Sequence, residues 1–160
     1  MLRKHILREA PAMSARQPGE KDIASIATVL ITSETAEHPI DHVFDDRRGP
    51  GGSRWVGAEP GEQTLILAFD TPQAIRHIRL EIEEQEVSRT QELSLALSRD
   101  GGQTYQTLLR QEYNFSPPGT TFEREEWGVT AEGVTHLRLV IRPDKGGKPC
   151  RATLTSLALQ

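Results

Sequence analysis

Asp45 and Asp46 are adjacent carboxylates beside a glycine-rich stretch, Gly49-Pro50-Gly51-Gly52. Such a pair could ligate a hard cation, since calcium takes several carboxylate and carbonyl oxygens from a flexible loop. With Arg47 and Arg48 following, the pair also reads as a solvated turn. His38 and His42, four apart, would share a helix face and could hold zinc with Asp41 or Asp45. Pro39 between them favours a surface pair instead. Ser98 near Asp100 invites a nucleophile, but no elbow motif and no assignable base accompany it. Asp100-Gly101 reads better as a hairpin turn whose glycine takes positive φ. Gly49–Gly52 lacks the Lys-Ser/Thr that would follow in a phosphate-binding loop. Nothing here assembles a nucleophile with its base, an acid–base pair or a cofactor cradle, so the expectation is a protein that binds rather than catalyses.

Residues suited to binding are easier to find. Tyr113-Asn114-Phe115 places two aromatics and an amide together, where a sugar or a base could stack. Arg142, Lys145, Lys148 and Arg151 stand against one Asp144, a locally cationic run. His42, Arg47 and Arg54 complete a set of hydrogen-bonding groups able to meet hydroxyls. Trp127, ending the polar stretch 122–127, is expected to seal the edge of the domain.

Whole-chain quantities bound the rest. The 160 residues make one domain, expected at 23–160 and preceded by a basic arm at 1–22 that packs Ile6 and Leu7 on it. The net charge of −4 argues against a bulk polyanion binder, although residues 1–21 carry five basic and two acidic groups. Hydrophobic residues make up 36% and charged residues 26%, too apolar for disorder and too polar for a membrane protein. The longest apolar stretch, Leu65–Phe69, could not span a bilayer, and the first residues lack the apolar core of a secretory signal. The expected location is therefore cytoplasmic. A single cysteine, Cys150, excludes an internal disulfide and a cysteine-based zinc finger.

The elements that must position these groups are strands. Ile78, Leu80 and Ile82 alternate with charged residues, as Leu93, Leu95 and Leu97 alternate with small ones and Leu137, Leu139 and Ile141 with mostly polar ones. That period of two lines a core with one face and leaves the other wet. Eight strands are predicted: 25–32, 63–69, 75–83, 90–98, 105–113, 120–127, 136–142 and 153–159. Turn chemistry separates them, and no long helical period appears. The fold class is all-β, an antiparallel β-sandwich of jelly-roll type. If the strands alternate direction, connections 33–62, 114–119 and 143–152 share one end. Those are the long, chemically varied loops, so that end is the expected site.

Several segments resemble the galactose-binding-like, or discoidin (coagulation-factor C-type), domains, a superfamily that includes carbohydrate-binding modules. They are Phe44-Asp45-Asp46 followed by Arg54-Trp55-Val56-Gly57, the pair Thr64–Phe69 and Ile75–Leu80, and Ser98-Arg99-Asp100-Gly101-Gly102 with Tyr105. The resemblance covers about residues 25–159 and implies the jelly-roll fold, Trp55 packed as core beneath the first long loop, and carbohydrate or glycoconjugate recognition at one end. Tyr113 or Phe115 would be the platform, with Asn114, His42, Arg47 and Arg54 meeting hydroxyls and Lys145 and Lys148 nearby. It also implies a structural calcium at Asp45 and Asp46, although Arg47 replaces a frequent glycine and Thr155-Ser156-Leu157 lacks the glutamate many members carry. A rival reading is an intracellular protein- or single-strand-DNA-interaction module. It rests on similarity of Phe115-Ser116-Pro117 and the basic 142–151 run to the N-terminal domain of the single-strand-break repair scaffold.

Overall fold

A computed structural model describes residues 16–160. The expected packing of Ile6 and Leu7 lies outside the described residues. Eight strands form: β1 (Ala27–Ile31), β2 (Trp55–Pro60), β3 (Gln63–Glu83), β4 (Arg89–Ser98), β5 (Gln106–Phe115), β6 (Phe122–Arg142), β7 (Arg151–Leu154) and β8 (Ser156–Leu159). The only helical pieces among the described residues are one short turn, Ile23–Ile26, and a 3-10 stretch, Ile40–Phe44.

All pairings between these strands are antiparallel, and together they make a β-sandwich. One layer runs β1–β3–β6–β4–β5, and β8 joins β3 beyond a bend. The bend explains how the expected strands differ from the observed ones. Segments 63–69 and 75–83 are two halves of β3, and 120–127 and 136–142 are two halves of β6. Their register shifts between Ala68 and His77, where each strand turns from one layer into the other. Gly133, at φ 65, stands in that corner of β6. The segment 153–159 divides at Thr155 into β7 and β8, and β2 is a strand inside what the sequence presents as loop.

The core lies between the layers. Ile78, Leu80, Ile82, Leu93, Leu95, Leu97, Leu137 and Leu139 are all buried, as their alternation requires. The opposite face of β3 is not wet, however. Arg79, Glu81 and Glu83 are buried too, because two segments fold over them. Gly49 N donates to Glu81 at 3.0 Å and Gly51 N to Glu83 Oε2 at 2.9 Å. The Glu20 side chain, 3% exposed, meets Arg79 at 3.0 Å.

The long loops do gather at one end. Glu84 N donates to Thr121 O at 2.8 Å, Ser88 Oγ to Phe115 O at 3.3 Å, Lys145 N to Thr90 O at 2.7 Å, and Gly61 N to Cys150 O at 3.2 Å. The bends of β3 and β6 and the 99–105 hairpin lie at the other end. Strand parity survives because each bend reverses the chain as a turn would.

Candidate functional site

At the loop end a cavity of about 660 Å³ opens between the 35–38 segment, β2, the 84–87 loop and residues 149–153. Its size suits a small ligand, since such pockets run about 300–1,000 Å³. The 84–87 loop is shaped by one side chain: Glu84 Oε1 accepts from Glu86 N at 3.1 Å and Val87 N at 2.7 Å. Its other oxygen meets Arg89 Nη2 at 2.6 Å. Arg89, 1% exposed through its side chain, also donates to the Arg151 carbonyl. The floor is thus fixed by the Glu84–Arg89 ion pair, although Arg89 Nε has no hydrogen-bond partner among the described residues. On the walls, His38, Arg54 and Arg151 supply donors while Glu37 and Glu86 supply acceptors. Arg54 and Arg151 make no side-chain hydrogen bond or ion pair among the described residues.

The residues expected to bind ligand are divided by the structure. Arg54 lines this cavity, and His42 stands behind it with Nδ1 3.0 Å from the Arg54 carbonyl, so it holds the loop. Arg47 is exposed outside the cavity. Lys145 and Lys148 line a neighbouring cavity, which shares Pro149 with the first. Asn114 is exposed, and its amide oxygen accepts from the Thr90 hydroxyl at 2.6 Å.

Tyr113 and Phe115 correct the expectation of an aromatic platform. They are 4% and 2% exposed and belong to the core. The reason is strand length: β5 runs on to Phe115, paired with Arg89, so both rings take the inward positions of the pleat. Trp55 is core as expected, with Nε1 donating to Ser33 O at 3.0 Å. Trp127 packs half-buried against the core. Absent from the residues expected to meet ligand are His38, weighed only as a metal ligand, Arg151, counted only in the cationic run, and the carboxylates Glu83, Glu84 and Glu86. The run of carboxylates ending a strand was the available signal, but only β2 and β7 bring it opposite Arg54.

The loop near Asp45 and Asp46 does not fit a calcium ion. Asp45 accepts from Arg47 N at 2.9 Å and from the Ser53 hydroxyl. Asp46, at φ 62, meets Arg16 at 2.9 Å and Arg48 at 3.6 Å. The Arg48 guanidinium lies 2.6 Å from Glu20 and brings a positive charge into the position a cation would need. His38 and His42, with ring centroids 6.4 Å apart, gather no third ligand; no group of three or more His, Cys, Asp or Glu is arranged for a metal among the described residues. Ser98 donates to Asp100 at 2.7 Å, within the hairpin turn. Thr104 and Ser98 hold the Asp100 carboxyl well below the usual carboxylate range.

No family model matches the chain, and no curated protein matches it in sequence. Solved structures do match it in fold. The family 32 carbohydrate-binding module of AlyQ, in complex with 4,5-unsaturated mannuronic acid, is 14% identical with a TM-score of 0.58, over 84% of this chain and 95% of that one. The family 32 module of C. perfringens NanJ, in complex with galactose, is 12% identical with a TM-score of 0.58, over 88% and 96%. Chitosan-binding module 1 from a chitosanase/glucanase of Paenibacillus sp. IK-5 is 19% identical with a TM-score of 0.56, over 88% and 98%. At such identities the likeness is one of fold: these modules share the β-sandwich of this chain.

Proposed function

We propose that the chain is a non-catalytic carbohydrate-binding module whose ligand enters the loop-end cavity. The observation that carries this reading is the pair of guanidinium groups, Arg54 and Arg151, that have no partner among the described residues and stand on the walls of a cavity whose floor carboxylate, Glu84, is already paired with Arg89. Planar donor forks can bridge neighbouring sugar hydroxyls, while Glu37 and Glu86 accept from others. Modules of this fold bound to mannuronic acid and galactose, and one named for chitosan, support the ligand class. The floor carboxylate Glu84 is engaged by the amides of Glu86 and Val87 and by Arg89. Burial of Tyr113 and Phe115 removes the expected stacking platform from the carbohydrate and the single-strand-DNA readings alike, so the polar walls of the cavity carry the carbohydrate reading.

The test is a glycan array followed by titration calorimetry on the best ligand. Arg54→Ala should weaken that ligand by about tenfold or more, the order expected for a charged hydrogen bond. If Arg54→Ala and Arg151→Ala both bind as the native chain does, the site lies elsewhere. If no glycan binds, the proposed class is wrong.

A further inference from the structure

The second cavity is built as firmly as the first. It measures about 610 Å³ and lies between the 60–62 turn and the 142–149 loop. Asp144 staples that loop: Oδ1 accepts from Thr90 N at 3.0 Å and Oδ2 from Lys148 N at 2.9 Å. These amides hold its carboxyl below the ordinary range, so it stays ionised with its charge spent on the backbone. Lys145 is matched by Glu112. Two cations remain for a ligand. Arg142 has no side-chain partner among the described residues, and the Lys148 ammonium donates to the Ser88 carbonyl while its charge also acts on Asp144. Glu62, Glu92 and Arg110 flank Arg142 in a small neighbouring hollow, and Glu62 lines this cavity as well. Neither carboxylate closes an ion pair with Arg142.

We propose that this cavity is a second subsite, taking the anionic group of an acidic oligosaccharide whose preceding unit occupies the Arg54 cavity. The inference rests on the carbohydrate reading above. Three observations support it: Pro149 lines both cavities, the loop between them is fixed rather than free to collapse, and the lining of the second carries three cations (Arg142, Lys145, Lys148) against two carboxylates (Glu62, Asp144). A carboxylate and a sulfate ester would both fit, since an arginine fork can bond two oxygens of either while a lysine adds a point charge. The interaction is solvent-facing, so salt must weaken it.

Calorimetry on the full chain decides the matter, with trigalacturonate against its methyl ester and a sulfated galactan trisaccharide against its desulfated form. At low salt the native chain should prefer at least one acid form by about tenfold, as one charge-assisted hydrogen bond would give. High salt should erase that preference. Arg142→Gln and Lys148→Gln should each erase most of it while leaving the neutral form's affinity unchanged; both residues are exposed, and thermal melts verify their folding. Equal affinity for acid and neutral forms, or a preference kept by both variants, overturns the subsite. If neutral glycans then still bind in an Arg54-dependent way, only the subsite falls. If no glycan binds at all, the carbohydrate reading falls and the subsite with it.

Discussion

Arg48 Nη2 lies 2.6 Å from Glu20 Oε2, and their side chains are only 7% and 3% exposed. Glu20 also meets Arg79 at 3.0 Å, so one carboxylate joins the start of the domain, the glycine-rich loop and the outer face of β3. Breaking a buried pair from one side leaves an unmatched charge and typically costs 3–5 kcal/mol. Because Arg79 would still attend Glu20, Arg48→Met should destabilise by about 3 kcal/mol in urea unfolding. A loss near zero would mean that water reaches Glu20 freely.

Calcium should leave the melting temperature unchanged, since Arg48 supplies the positive charge in that loop and Asp45 is engaged by Arg47 N and Ser53. A ligand binding only the native state raises the melting point by mass action. A calcium-dependent rise in the native chain that vanishes in Asp45→Ala would reinstate the ion.

Tyr113 Oη is buried and has no hydrogen-bond partner in the structure. Burial, with Glu125 and Glu123 nearby, pushes its phenol well above the ordinary range, so it remains neutral at every working pH. Removing an unsatisfied hydroxyl is close to neutral or stabilising. Tyr113→Phe should therefore fold at least as stably and bind glycan unchanged. A loss of binding would show that the hydroxyl faces ligand.

Trp55→Phe keeps a ring in the core but abandons the donor to Ser33 O. The orphaned carbonyl and the lost volume should together cost roughly 2 kcal/mol. Calorimetric melting measures it, and an unchanged melting point would remove Trp55 from the structural role.

Asp144 gives a pH signature. Its folded carboxyl titrates below its unfolded value, chiefly through the amides of Thr90 and Lys148. Its stabilising contribution is thus full above the ordinary carboxylate range and is lost as pH falls through the depressed folded value. The stability gap between the native chain and Asp144→Ala should be widest near neutral pH and narrow in acid. A gap that is constant with pH would mean that the charge is immaterial to the loop.

Strand alternation made much of the fold legible. The burial of Ile78, Leu80 and Ile82 follows from the pleat, which sends every second side chain to one face. What covers the opposite face does not follow from the pleat. Arg79, Glu81 and Glu83 look like a wet surface in sequence and become a buried ionic layer because residues near 20 and 49–51 return to them from afar. Of the candidate site, Arg54 was legible as a cation in the first long loop. Its partners were not, since His38, the 84–87 loop and Arg151 reach it from separate segments.

Period, turn chemistry and motif order, all local in the chain, determined an antiparallel β-sandwich with its long loops at one end. Tertiary structure alone decided that β5 continues two residues further than its turn signals suggest, carrying Tyr113 and Phe115 into the core. It alone divided the cations between two adjoining cavities. A strand ends where its partners stop offering hydrogen bonds, and a cavity forms where distant loops fail to close. Both depend on chain segments that meet only after folding.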